Sequence, residues 1–159
     1  MNLTVRGYDI TAPYPESDDS FLWGAARALG FGPMDAAHKE FFDVAFRLFT
    51  CSTEDAEASL DAFENHAVSH FAQEEGWMQS SEFPAANCHA AEHAAVLRST
   101  GEVRSALIEG RSGVELVHDF AIYLFQWSPG HADYLDSALA AWMSKKTYGG
   151  KPVVFRRRM

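Results

Sequence analysis

The sequence predicts an all-α fold: an antiparallel, up-down-up-down four-helix bundle over residues 21–144, with an N-terminal arm at 1–20 and a short basic C-terminal tail at 145–159. Three observations carry this. Apolar residues recur with a helical period in four separate stretches, short turn signals divide the stretches, and no run alternates as a half-buried strand does. Short connections make consecutive helices antiparallel neighbours.

The arm, Met1 to Ser20, holds Pro13 and Pro15 followed by Glu16, Asp18 and Asp19, and reads as irregular chain. The first helix opens after Gly30-Phe31-Gly32, with Pro33 suited to a first turn. Its face is Met34, Ala37, His38, Phe41, Phe42, Ala45, Leu48 and Phe49. Cys51-Ser52-Thr53 ends it, and Ser52 or Thr53 caps a second helix that begins with acidic residues. That helix shows Ala56, Leu60, Phe63, Ala67, His70, Phe71, Glu74, Trp77 and Met78 on one face, and Ser80, Ser81 and Pro84 break it. The third runs from about Pro84 to Glu109, with His89, His93, Val96, Leu97, Val103 and Leu107 in register and Gly110 as its C-terminal stop. Ser112 with Glu115 gives a capping-box signal for the fourth, whose stripe is Val114, Val117, Ala121, Leu124, Ser128, His131 and Leu135, ending near Ser144.

Composition excludes several classes. The chain has 159 residues, 47% of them apolar, which suits one domain with a packed core and argues against disorder. Lys and Arg total 13 against 22 Asp and Glu, yet Lys145, Lys146, Lys151, Arg156, Arg157 and Arg158 all lie in the tail. Residues 1–144 therefore hold 7 basic and 22 acidic residues, so the body carries −15 and the tail +6. A body this acidic repels a phosphate backbone, and no nucleic-acid partner is expected. The longest run free of charged residues, Phe120 to Ala132, is 13 residues long against the roughly 20 that a transmembrane helix needs. The first residues lack the apolar core of a signal peptide, and Cys51 and Cys88 are too few for a disulfide framework, so the expected location is the reducing cytoplasm.

The chemistry lies in the polar residues on the apolar stripes. His38 is on the first, His70 and Glu74 on the second, His89 and His93 on the third, and His131 with Asp136 on the fourth. Residues four apart lie about 40° apart around a helix, so each i, i+4 pair points one way. A lone histidine on such a face is ordinarily a core residue with a hydrogen bond. Five histidines and two carboxylates are another matter, because burying them without a compensating ion costs about several kcal/mol each. A metal site in the core follows. Imidazole suits Zn, Cu, Fe and Ni, and seven donors exceed one tetrahedral ion but suit two ions of higher coordination sharing bridging carboxylates. The paired Glu-x-x-His motifs of ferritin-like bundles are absent from the sequence.

At this point the sequence resembles the hemerythrin family in its bacterial single-domain form, from about Trp23 to Met143. The pieces, in family order, are Met-Asp-Ala-Ala-His38, His70-Phe-Ala-Gln-Glu74, His89-Ala-Ala-Glu-His93 and His131-Ala-Asp-Tyr-Leu-Asp136. The resemblance implies two non-haem iron ions joined by an oxo or hydroxo bridge. His89, His93 and His131 would hold one iron, His38 and His70 the other, and Glu74 and Asp136 would bridge them. It also implies an open position on the second iron, where dioxygen is the ligand. Trp127, Phe42 and Leu97 are the expected pocket wall, with Phe71, Val96 and Leu124 as further candidates, and the arm is expected to pack across the bundle. The function implied is reversible dioxygen binding for carriage, storage or delivery, not an enzyme. An electron donor or an oxygen-consuming protein would be its partner. Two other readings stay open: a sensor of oxygen, redox state or nitric oxide acting through a partner, and a di-iron peroxidase-type enzyme.

One spacing departs from a regular helix. His131 and Asp136 are five apart, an offset of about 140° on an ideal α-helix. A π-turn brings such residues into line, and Ser128-Pro129-Gly130 lies just upstream, so a distorted fourth helix is expected between 125 and 136. Of the other histidines, His66 is an outer neighbour of the site, an extra ligand or a half-exposed member of its stripe, and His118 is expected to face outward. Glu75 and Asp133 are expected in solvent or, for Glu75, behind a ligand, and Cys88 is expected to be a small packed residue.

Overall fold

A computed structural model of the chain describes residues 22–150. The predicted arm and the end of the basic tail lie outside those residues. A short 3-10 turn, Ala25–Arg27, precedes helix α1, Gly32–Thr50. Helices α2, Ala56–Ser80, and α3, Ala86–Ile108, follow. The fourth rod is composite: α4, Val114–His131, a π-helical turn, Ala132–Asp136, and α5, Ser137–Tyr148. Helix α1 packs on α2 and α4, α2 on α3, and α3 on α4, which is the four-helix bundle the periodicity predicts. Among the described residues there is no strand, and no helix is long and apolar enough to cross a membrane.

The helix ends follow from local chemistry. Pro33 sits in the first turn of α1, and the Asp35 carboxylate accepts from the Leu29 and Gly30 N–H groups at 2.7 and 3.0 Å, pinning the preceding segment to the helix. Ser52 is the residue that organises the start of α2: its hydroxyl accepts from the Asp55 N–H at 3.2 Å. Gly110, at φ +68°, closes α3 with the Arg111 N–H donating to Ala106 and its own N–H to Leu107. The start of α4 corrects the expected capping box. Gly113, not Ser112, is the cap, and Glu115 folds back to accept its N–H at 3.0 Å. The helical rod also runs past Ser144 to Tyr148, with Lys145 and Lys146 in the last turn and Gly149 at φ +74° beyond it.

Pro129 does not end α4; the backbone remains helical through it and relaxes in the π-turn immediately after. The distortion therefore falls inside the predicted interval, at 132–136. The widened turn is what lets His131 and Asp136 share a face, and both are buried.

Apolar packing divides into two clusters. The larger joins Phe41, Phe63, Phe71, Val96, Leu124 and Trp127 with their neighbours, and the smaller joins Phe31, Met34, Met78, Leu139 and Ala140. His38, Glu74, His89, His93, His131 and Asp136 lie in sequence between members of the two clusters, and His70 is one turn before Glu74 at the edge of the larger one. A polar belt thus crosses the bundle between two dry plugs.

Candidate metal centre

Every one of the seven sequence-predicted donors is buried, from 0% exposure at His89 and His93 to 8% at His38. Their inward atoms converge. Glu74, His89, His93, His131 and Asp136 each offer an atom within 4.8 Å of the others, and His38, His70 and Glu74 form a second such group sharing Glu74. Asp136 also touches both groups: Oδ1 lies 2.9 Å from His89 Nε2 and 3.1 Å from His131 Nε2, while Oδ2 lies 3.1 Å from His38 Nε2. Glu74 Oε1 is 2.9 Å from His70 Nε2, and Oε2 is 3.2 and 3.3 Å from His93 and His89.

These contacts do not satisfy the site. Glu74 Oε2, Asp136 Oδ1 and His93 Nε2 are buried and lack a properly aligned hydrogen bond, although each has polar atoms at contact distance. Donor atoms crowded this closely, several of them left unpaired, are what ligands around cations look like. Imidazole nitrogens and carboxylate oxygens in this number fit a pair of transition-metal ions.

Charge tells the same story. Burial drives the His38 imidazole towards neutrality, but Asp136 and Glu74 overcome it and raise its pKa to about 10. His89 follows the same logic and rises to about 9. Burial favours neutral Glu74, yet His38, His70, His89 and His93 hold its carboxyl well below the usual range. Asp136 is likewise depressed by His131, His38 and His89 against the cost of burial. Without a metal, protons on His38 and His89 supply positive charge that the two carboxylates demand. Metal uptake must displace those protons.

Two of the candidate donor rings are clamped from behind by carboxylates. His93 Nδ1 donates to Glu75 Oε1 at 3.2 Å, and His131 Nδ1 to Glu92 Oε2 at 2.7 Å. Such partners fix ring orientation and raise basicity. Glu92 is the residue that sequence reasoning misses. It sits between His89 and His93 on an exposed edge of α3, and nothing in its neighbourhood separates it from other surface glutamates. The only available signal is the general rule that a ligating histidine needs an acceptor for its second N–H.

A cavity of about 210 Å³ leads from the surface to the centre along the seam of α1 and α4. His38, His70, His131 and Asp136 form its inner end, and Phe41, Phe42, Phe71 and Trp127 its wall. Trp127 stacks on His131 at 4.3 Å between ring centroids, and Phe71 on His93 at 4.0 Å. Leu97 is a correction: it is half-buried against the large apolar cluster and does not line this cavity, because α3 contributes nothing to the α1–α4 seam. Val96, also on α3, and Leu124 of α4 are core residues that do not line it. The segment from Trp23 to Leu29, with the Arg27 guanidinium 4.7 Å from the Phe42 ring centroid, covers the mouth instead.

The remaining predictions divide. Asp133 is exposed, as expected, and Glu75 is the second-row partner just described. His118 does not face outward: its Nε2 donates to the Cys51 carbonyl at 2.9 Å, tying α4 to the α1–α2 turn. Cys88 is exposed rather than packed, because it projects away from the face that carries His89. His66 is half-buried beside His70, and burial pulls its imidazole pKa down.

Comparison with known proteins agrees with the geometry. The hemerythrin HHE cation binding domain matches residues 30–142. Bacteriohemerythrin of Ralstonia nicotianae is 32% identical over 124 residues, covering 78% of this chain and 89% of that one. A crystal structure of a leucine-to-alanine mutant of hemerythrin superposes with a TM-score of 0.70 at 25% identity, covering 77% of this chain and 95% of the other. The buried histidine and carboxylate belt, the bundle that builds it and these matches together make the chain a member of the hemerythrin HHE cation-binding family.

Proposed function

We propose that this protein holds two non-haem irons and binds dioxygen reversibly, for carriage, storage or delivery. The observation that supports this best is the pairing of a buried, unsatisfied donor cluster with an apolar passage that reaches only part of it. In this reading His89, His93 and His131 hold one iron, His38 and His70 the other, and Glu74 and Asp136 bridge them. Held by these residues, a ferrous pair would supply the two-electron chemistry that reversible dioxygen binding needs.

The chain's own residues set the terms. Two carboxylates against five neutral imidazoles leave a divalent pair only partly neutralised, so an anionic bridge and an anionic bound ligand are favoured. His38 and His70 stand at the end of the passage beside His131 and Asp136, and as the side with fewer donors they are where a small ligand has access. Phe41, Phe42, Phe71 and Trp127 keep that access dry, which slows loss of a bound ligand to water. Glu75 and Glu92 keep His93 and His131 in place while the charge at the centre changes.

Two thiols with no disulfide between them, Cys51 and Cys88, suit the cytoplasm. The partner required is a reductant that restores the ferrous state or a protein that consumes oxygen. The test is an absorbance cycle on the reduced, iron-loaded chain. Oxygen should produce a new band that disappears under argon and returns with oxygen. Rapid, one-way conversion to the oxidised form would instead favour the sensor or redox-enzyme reading.

A further inference from the structure

His66 and His70 are four residues apart on α2, with ring centroids 5.3 Å apart. Each leaves one buried ring nitrogen without a partner: Nε2 of His66 and Nδ1 of His70. The two are chemically complementary. His70 turns Nε2 towards the centre, 2.9 Å from Glu74 Oε1, so a metal-holding His70 keeps its proton on Nδ1 and needs an acceptor there. His66 has an acceptor on its far side, where Nδ1 lies 3.5 Å from Glu40 Oε2. A proton held on that side leaves His66 Nε2 as an acceptor.

The other ligands sharpen the contrast. His93 and His131 donate their second N–H to Glu75 and Glu92, whereas no carboxylate is placed to take the proton of His70 or of His89, and of these two only His70 has, one turn away, an imidazole outside the donor cluster with an unpaired nitrogen. We propose that His66 is the positioning residue for His70: the His70 Nδ1–H donates to His66 Nε2, by a small ring rotation or through one bound water, and Glu40 anchors His66 at the surface. The inference rests on the di-iron reading above. It makes the access side of the centre the one whose ligand is held by a neutral imidazole in place of a carboxylate.

The test is the rate at which a chelator strips iron from the loaded full-length chain. His66→Phe keeps the packing against Phe41 but removes the acceptor, and it should release iron about 10- to 100-fold faster, the usual cost of losing such a partner. His66→Gln keeps a buried acceptor oxygen and should restore release to within about threefold of wild type. Melting curves of the metal-free chains control for folding. If the phenylalanine variant melts early, His66→Leu should show the same acceleration. Release from His66→Phe at the wild-type rate, or equal acceleration in the phenylalanine and glutamine variants, would overturn the proposal, the second by showing a packing role. A wild-type chain that takes up no iron contradicts the di-iron reading itself, whereas a loaded wild type with an unaffected His66→Phe contradicts this inference alone.

Discussion

His89 and His93 are fully buried and do not line the cavity, while His38 and His70, at 8% and 6% exposure, stand at its inner end. His93 and His131 are braced by Glu75 and Glu92 and capped by two stacked rings, Phe71 and Trp127. The second pair has no carboxylate brace and faces a passage whose inner end His131 and Asp136 also reach. Glu74 and Asp136 touch both. On the proposed di-iron reading the difference teaches how one cluster would perform two tasks, the braced side retaining metal and the open side receiving a ligand.

Variants can break that division. Glu74→Ala removes the carboxylate common to both sides and should reduce iron from two per chain to near none, measured by metal analysis after gel filtration. His38→Ala should cost only the open side, leaving close to one iron. If both variants lose the same amount, the sides are not separable. An alanine inserted between Asp133 and Tyr134 rotates Asp136 by about 100° relative to His131 and should approach the Glu74→Ala loss. Retained iron would show that the π-turn is not what delivers Asp136.

Trp127→Phe sharpens the comparison more gently. It thins the wall of the open side without removing a donor, so iron content should hold while the oxygenated form decays faster. A longer-lived oxygenated form would contradict the dry-wall argument.

Acidity separates the metal-free from the loaded protein. The stability that His38 and His89 contribute is complete below their unfolded value of 6.5 and is lost as pH climbs towards 10 and 9 respectively. Glu74 and Asp136 contribute above their ordinary values of 4.5 and 3.8 and lose that contribution as pH falls. The metal-free chain should therefore have its highest denaturation midpoint between about pH 5 and 6.5 and weaken towards pH 9 to 10. Iron affinity should rise across that same alkaline span, because fewer protons must be displaced.

The smallest effect is a control outside both sides. Glu82 is the one described non-glycine residue at positive φ, +56°, where it ends α2 with the Phe83 N–H donating to Met78. Glu82→Gly should raise stability by about 1 kcal/mol in denaturant titrations and leave iron content unchanged.

Much of this was legible in the sequence because periodicity is a strong signal. Four amphipathic stripes specify the bundle, and polar residues on stripes that ought to be apolar specify the belt. Even the π-turn could be expected, since five-residue spacing between His131 and Asp136 is incompatible with a regular helix sharing one face. What escaped has a common cause. Glu92, Glu82 and the cap at Gly113 depend on where a neighbouring segment or a side chain arrives, which no local pattern encodes. Leu97 failed because a stripe shows which face is inward without showing which seam of the bundle opens.

The most direct measurement is an anaerobic titration of the metal-free chain with ferrous iron, read by bound metal per chain. The account predicts a break at two irons per chain, and at one in His38→Ala. Saturation at a single iron in the wild-type chain, or no binding, would contradict it.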